Sequence, residues 1–162
     1  MWNMATIHLG DLLVRNGVLT PAQRDQVLRA QADRGGPFGA IAEEMFGVSP
    51  AAVESAWAEQ YANLAPRVDP RTYNVNARVL EVISRRQAWQ FSLMPLDVQG
   101  KDLIATTTQE NLSRALKFAG WRLGHGVQFL ISAPDALGEA LCKYYPMGGM
   151  TADCVGRRSA VA

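Results

Sequence analysis

The strongest constraint in this sequence is an internal repeat near its start. Residues 9–31 and residues 38–60 align without a gap at a shift of 29 positions. The alignment pairs identical or similar residues: Gly10 with Gly39, Leu19 with Val48, Thr20 with Ser49, Pro21 with Pro50, and Gln31 with Gln60. A repeat of this length is typical of a small structural unit that buries its apolar face against a neighbouring copy. We therefore expect the first part of the chain to consist of two similar halves.

Each copy of the repeat has the signals of a helix, a turn and a second helix. A hydroxyl residue caps the second helix, and a proline follows it at the first helical position, where no backbone hydrogen bond is lost. A glycine stands where the first helix ends and a left-handed residue lets the chain turn. These signals fall at Gly17 and Thr20-Pro21 in the first copy and at Gly47 and Ser49-Pro50 in the second. They predict four short helices in two hairpins over residues 6–64.

A different pattern follows the repeat. Residues 65–75 contain two prolines and no periodicity, which predicts a linker or an extended crossing. Residues 76–146 read α-β-β-α-β-α, which predicts a small sheet with helices on one face. The predicted elements are a helix from Asn76 to about Arg86, strands at 89–98 and 103–108, a helix at 111–123, a strand at 127–132 and a helix at 134–145. Residues 147–162 lack periodicity and predict a flexible tail. The fold class is therefore α+β, with a four-helix unit followed by a small sheet unit.

Charge and cysteine content exclude several classes of protein. The net charge of +1 gives no general attraction to nucleic-acid polymers or anionic membranes. It divides unevenly, because residues 1–64 carry a net −3 and residues 65–162 a net +4. The two cysteines and two histidines do not have the spacing of a metal site, and no apolar run is long enough to span a bilayer. We expect a cytoplasmic protein without a metal and without direct membrane insertion.

No constellation of catalytic residues is recognisable in the sequence. The phosphate-binding pattern Gly-x-x-x-x-Gly-Lys-Ser/Thr does not occur, and the adjacent Glu43 and Glu44 would point apart on a helix. His125 lies between two glycines and is interpreted as a turn residue. Three tryptophans stand at apolar positions of separate elements, which favours core packing over base stacking. They are Trp57, Trp89 and Trp121. We therefore expect that the protein is not an enzyme.

The repeat and the later strands together resemble a known family. The residues that carry the resemblance are Leu9-Gly10, Leu13-Val14, Gly17, Leu19-Thr20-Pro21 and Leu28-Arg-Ala-Gln31, then Phe91-Ser-Leu-Met-Pro-Leu, Leu103-Ile-Ala-Thr-Thr-Thr and Ala136-Leu-Gly-Glu-Ala-Leu-Cys-Lys-Tyr-Tyr145. Over residues 6–146 the chain resembles the N-terminal (MshEN-like) domain of type II secretion and type IV pilus assembly ATPases. The resemblance implies a stand-alone module without the ATPase core.

In the resembled family, two tandem copies of this motif bind cyclic dimeric GMP. Carried over residue by residue, the resemblance implies a site formed by His8, Leu9, Gly10, Leu13, Gln31, Phe38, Gly39, Ile41 and Gln60. Glycines let a phosphate approach the backbone, leucines offer purines an apolar bed, and glutamine can serve a base edge. The chain departs from the motif where it opens with arginine, since His8 and Pro37 stand there, and Arg24 replaces an apolar residue. The retained glycines and glutamines also fit a purely structural role in helix packing.

Two functions therefore remain open. The resemblance implies a regulatory or adaptor module that docks to a secretion or pilus platform or motor protein, or to another regulatory protein. The alternative is a sensor that binds cyclic dimeric GMP through residues 6–60. No cofactor is expected apart from this ligand.

Overall fold

The computed structural model of the chain describes residues 8–123 and 126–157. Within the described part of the first unit, Met1–Leu64, the chain forms four helices. They are α1 (Leu9–Arg15), α2 (Pro21–Arg34), α3 (Phe38–Phe46) and α4 (Pro50–Leu64). The predicted pair of helical hairpins is confirmed, because α1 and α2 come from the first copy of the repeat and α3 and α4 from the second.

The turn and cap residues of the two copies act as the sequence predicts. The Thr20 hydroxyl accepts a hydrogen bond from the Gln23 backbone N–H at 3.1 Å, and the Gln23 side chain accepts one from the Thr20 N–H at 2.9 Å. The Ser49 hydroxyl accepts from the Ala52 N–H at 3.1 Å. Gly17 and Gly47 have φ angles of +75° and +64°, which glycine adopts without strain. Local chemistry thus fixes where α2 and α4 begin and where α1 and α3 end.

The core of the first unit draws on all four helices. Leu12 and Leu13 of α1, Val27 of α2, Ala42 of α3 and Ala56 of α4 have no accessible surface. Burial of a leucine or valine side chain stabilises the fold by roughly 1.5–3 kcal/mol. The helical spacing of these apolar residues therefore determines which faces of the hairpins meet.

The second unit, Ala65–Ala162, holds a three-stranded sheet. A 3-10 helix (Ala77–Val82) leads to α5 (Arg85–Phe91), β1 (Leu93–Gln99), β2 (Asp102–Thr107), α6 (Leu112–Phe118) with a π-helical end (Ala119–Leu123), β3 (Val127–Ile131), α7 (Pro134–Tyr144) and α8 (Asp153–Arg157). β1 and β2 form an antiparallel hairpin around Gly100, whose φ is +62°, and β3 pairs in parallel with β2. The α+β class is confirmed, and the predicted order holds except that the structure adds two helices, α5 and α8.

The predicted boundary between the first helix and the first strand of this unit is wrong. Asn76 caps a helix as expected, but that helix is a short 3-10 turn that ends at Val82. A second helix, α5, then covers Trp89 to Phe91, for which the sequence pattern predicts a strand. The physical reason is a capping box at Ser84 and Gln87, which starts α5 and extends helical structure to the residue before β1.

Residues 65–75 belong to the second unit and do not form a free linker. The Ile131 N–H donates to the Pro66 carbonyl and the Val68 N–H donates to the Ile131 carbonyl, both at 2.9 Å, so residues 66–68 run parallel to the end of β3. Arg71 then pairs with Asp69 at 2.9 Å and with Glu139 of α7 at 3.1 Å. The hydrogen bonds from Arg71 lower the pKa of the Asp69 carboxyl. The alternative of an extended crossing describes this segment better.

The predicted flexible tail is corrected for residues 147–157, whereas residues 158–162 lie outside the described residues. Asp153–Arg157 form α8, and the Val155 side chain is 2% exposed. Gly138 of α7 allows this docking, because an added Cβ there would collide with the Ala152 backbone. The absence of a side chain at Gly138, rather than a periodic pattern, therefore lets the segment at Ala152 lie against α7.

Buried polar contacts fix the end of α7. The Trp89 indole N–H donates to the Tyr145 carbonyl at 2.8 Å, and the Tyr145 hydroxyl donates to the Leu80 carbonyl at 2.7 Å. Burial raises the pKa of the Tyr145 hydroxyl. These contacts join three helices of the second unit and confirm the prediction that Trp89 is a core residue.

Candidate functional site

Six of the nine residues predicted to bind a ligand line one cleft in the first unit. The cleft has a volume of about 400 Å³, which lies within the usual range of about 300–1,000 Å³ for small-molecule sites. The six residues are His8, Leu9, Gly10, Gln31, Phe38 and Gln60. Three further residues, absent from the prediction, complete the lining: Asp11, Arg24 and Leu28. The repeat therefore brings residues from both copies to one surface.

The other three predicted ligand residues do not line this cleft. Leu13 has no accessible surface and Ile41 is 4% exposed, because both side chains point into the core of the four helices. Gly39 is buried against Val53 of α4. The position of Gly39 matches the structural role that the sequence left open for the glycines, whereas Leu13 and Ile41 are core residues.

Gly10 and Gly39 have equivalent surroundings in the two copies. A Cβ added to Gly10 would lie 2.8 Å from the Phe38 ring and 3.1 Å from Arg24 Cγ. A Cβ added to Gly39 would lie 2.5 Å from Val53 Cγ1 and 3.8 Å from the Leu9 side chain. The repeat alignment pairs Leu9 with Phe38 and Arg24 with Val53. Each glycine thus packs against two side chains: that of the first residue of the other copy, and that of a residue in the second helix of its own copy.

Arg24 is the arginine of the cleft lining, where it faces the carboxylate of Asp11. Its Nη1 donates to the Asp11 carboxylate at 3.0 Å and its Nε donates to the Asp25 carboxylate at 3.2 Å. The Arg24 side chain is 29% exposed, whereas those of Asp11 and Asp25 are about half exposed. The sequence contains one indication that position 24 is unusual, since a charged residue stands where the resembled motif has an apolar one. Its contact with Asp11 depends on how α1 packs across α2, which the repeat pattern does not specify.

The side chains of His8, Gln31 and Gln60 belong to the lining of the same cleft. His8 is exposed and immediately precedes α1. The Gln31 side chain donates to the Gly36 carbonyl at 3.0 Å, which supports the turn between α2 and α3. Gln31 and Gln60 are both partly buried in the described structure. The glutamines combine a place in the cleft lining with, for Gln31, a structural hydrogen bond.

A second surface of the first unit is apolar and exposed. Trp57 and Leu64 of α4 are each 43% exposed, although Trp57 was predicted to pack in a core. That prediction is wrong because the core-facing side of α4 buries small residues such as Ala56 and Ala62, whereas Trp57 lies on an exposed side of the helix. The Trp57 and Tyr61 ring centroids lie 5.8 Å apart. We call Trp57, Tyr61 and Leu64 the α4 stripe, since this spacing places them on one helical face.

The described residues contain no group of three or more histidine, cysteine, aspartate or glutamate side chains that could hold a metal ion. Glu44 of the adjacent acidic pair forms an ion pair with Arg34 at 3.1 Å. His125 lies outside the described residues, and the side chain of Trp121 is not described. None of the helices within residues 8–123 and 126–157 has the length and apolar character needed to cross a bilayer.

Comparison with known proteins gives one family match and a structural likeness. The family model of the MshEN domain matches residues 64–151, just over half of the chain. A solved structure described as "Structure of MshE with cdg" aligns with 86% of this chain and 99% of its own, at 21% identity and a TM-score of 0.47. No curated protein matches the sequence. The family match thus begins at the last residue of α4 and covers the sheet unit up to the segment before α8.

Proposed function

The chain belongs to the MshEN domain family, and from that premise we propose that it is a non-enzymatic regulatory module that acts by docking to another protein. The resemblance of its sequence to the N-terminal domains of assembly ATPases supports a partner from a type II secretion or type IV pilus system, either a platform or a motor protein. Such a partner would meet the module in the cytoplasm.

The observation that carries this proposal is the α4 stripe. Tryptophan and tyrosine are enriched where proteins bind each other, because they bury a large area with few rotatable bonds. Trp57 and Tyr61 are adjacent on α4, and Leu64 extends the same face by one turn. An aromatic pair continued by an exposed leucine offers a partner one continuous apolar strip.

The net charge of the first unit indicates the chemistry of the partner. Residues 1–64 carry seven acidic and four basic side chains. Opposite charge on a partner speeds association and selects the orientation of docking. We therefore expect the docked segment to have an apolar face flanked by lysine or arginine.

Affinity capture with matched variants tests the docking proposal. The tagged wild-type chain, Trp57→Ala and Met45→Ala are used to capture proteins from a lysate of the source cells, and mass spectrometry identifies the products. Met45 is a matched control, because it is an exposed apolar residue of the same unit, 39% exposed, on α3. A central interface tryptophan commonly contributes at least 2 kcal/mol, so Trp57→Ala is expected to weaken capture by about thirtyfold or more.

The supporting result is specific in both its partner and its variant. Wild type and Met45→Ala recover the same secretion or pilus assembly protein, and Trp57→Ala loses it while its melting temperature stays near that of wild type. Recovery of no such protein, or equal recovery by Trp57→Ala, would overturn the proposal.

A second candidate function is that of a sensor for cyclic dimeric GMP, and the cleft supports it. The cleft combines apolar side chains, two glutamines and an arginine, which suit purine faces, base edges and phosphate respectively. Calorimetry with the dinucleotide tests this candidate directly. Binding at low micromolar or better, about −8 kcal/mol, is expected for a sensor. The absence of heat at about 100 μM protein would contradict it.

A further inference from the structure

The guanidinium of Arg24 lines the cleft, and it donates hydrogen bonds to one carboxylate inside the cleft lining and to one outside it. Nη1 is held by Asp11, which lines the cleft, whereas Nε is held by Asp25, which does not. No hydrogen bond from Nη2 is found among residues 8–123 and 126–157. One carboxylate therefore competes for Arg24 from within the cleft, while the other orients it from outside.

The remaining lining suits a flat, polar-edged ligand. Leu9, Leu28 and Phe38 provide apolar surface, and Gln31 and Gln60 provide amide groups at the same cleft. A purine has apolar faces and an edge of donors and acceptors, so it matches this combination. A nucleotide also brings a phosphate, for which a planar guanidinium is the best-suited side chain.

We propose that Arg24 is the phosphate-binding group of this cleft and that Asp11 is a built-in competitor that a phosphate displaces. The proposal rests on the sensor candidate above and names the group that sets its affinity. Asp11 weakens anion binding in two ways, because it occupies Nη1 and because its charge repels a phosphate at the same place. The ion pair of Arg24 and Asp11 therefore lowers the affinity for any anion, and only a ligand whose phosphate can replace the Asp11 carboxylate on Arg24 binds.

The two carboxylates around Arg24 provide a matched pair of variants. Asp11→Asn removes the competing charge from the cleft, whereas Asp25→Asn removes the same charge outside it. Both aspartates are about half exposed and both lie close to the same guanidinium. Since Asp25 orients Arg24 without lining the cleft, its replacement is expected to change affinity less than that of Asp11.

Calorimetric titration with cyclic dimeric GMP compares wild type with four variants. Exposed ion pairs contribute modestly, so Asp11→Asn is expected to tighten binding by about two- to fivefold, and Asp25→Asn to leave it within about twofold. Arg24→Gln loses a charge-assisted hydrogen bond and is expected to weaken binding at least about tenfold. Arg24→Lys keeps the charge without the planar fork, so its affinity is expected to fall between those of wild type and Arg24→Gln. Thermal melting of each variant checks that the four helices remain folded.

The outcomes separate this inference from the function on which it rests. If wild type binds and Asp11→Asn behaves like Asp25→Asn, or if Arg24→Gln binds as well as wild type, the role of Arg24 and Asp11 is wrong while the sensor function stands. If neither wild type nor Asp11→Asn releases heat, both the sensor function and this inference are overturned. Tighter binding by Asp11→Asn with weaker binding by Arg24→Gln is the supporting result.

Discussion

The two helical hairpins of the first unit surround their glycines in the same way but differ in the charge they place there. In the first hairpin, Gly10 contacts Arg24 and the Phe38 ring, and the arginine leaves a polar cleft at the surface. In the second hairpin, Gly39 faces Val53, a compact branched side chain that would lie 2.5 Å from an added Cβ. The difference between the two hairpins at this place comes from one pair of equivalent positions, which holds arginine at 24 and valine at 53.

The outer faces of the two hairpins differ as well. Leu28 of α2 and Trp57 of α4 are equivalent in the repeat, and both are exposed, at 47% and 43%. Leu28 lines the cleft, whereas Trp57 pairs with Tyr61 in the α4 stripe. The comparison indicates that a symmetric backbone can carry two different surfaces, one suited to a small ligand and one to a protein.

Two single variants, each placing the residue of one hairpin at the equivalent position of the other, should show the largest difference in the free energy of unfolding. The equivalent positions are 24 and 53. Val53→Arg places a charge where an apolar side chain touches Gly39, so we expect a loss of about 1–3 kcal/mol in the free energy of unfolding. Arg24→Val removes two partly exposed ion pairs, with Asp11 and Asp25, and should change stability by less than about 0.5 kcal/mol. Urea denaturation of both variants measures this contrast. Equal losses in the free energy of unfolding for the two variants would contradict the proposed difference between the contacts of Arg24 and Val53.

A methyl group added at each glycine should give the next largest difference. Gly39→Ala meets Val53 at 2.5 Å, and a branched side chain has little freedom to move away. We expect a net loss of about 1–2 kcal/mol. Gly10→Ala meets a ring edge and a flexible arginine stem, and the gain in helix propensity of about 0.5–1 kcal/mol should nearly offset the crowding. Thermal melting distinguishes them, and a larger loss for Gly10→Ala would reverse the comparison.

The helix caps should give the smallest difference. Thr20 and Gln23 form a reciprocal capping box at α2, whereas Ser49 makes one side-chain bond at α4 and Ala52 stands where Gln23 would be. Removal of a cap costs about 0.5–2 kcal/mol. We expect Thr20→Ala to cost about 1 kcal/mol and Ser49→Ala about half of that, measured by chemical denaturation. A larger cost at Ser49 would mean that tertiary packing, rather than the cap, determines where α4 begins.

The parts of the fold that local chemistry determines were predictable from sequence. The caps at Thr20 and Ser49, the turn glycines 17 and 47 and the hairpin at Gly100 depend on neighbouring residues, so their patterns are sufficient. The start of α5 was also encoded, in the capping box of Ser84 and Gln87. It was missed because the apolar run from Trp89 onward favours a strand as well as a helix.

The parts that depend on packing between elements were not predictable in the same way. The docking of α8 depends on the absence of a side chain at Gly138, which no periodicity reveals. Six predicted ligand residues reach one cleft because the repeat places them there, but the role of Arg24 depends on its approach to Asp11 across two helices. The exposure of Trp57 likewise follows from which face of α4 the core accepts.

The central claim is that the α4 stripe docks to a protein of a secretion or pilus assembly system. Site-specific photocrosslinking in living cells tests it most directly, with a photoreactive phenylalanine analogue at position 57 and, as control, at position 45. We predict an adduct from position 57 that contains a platform or motor protein, and much less of that adduct from position 45. An equal yield from both positions, or no such adduct from position 57, would contradict the claim.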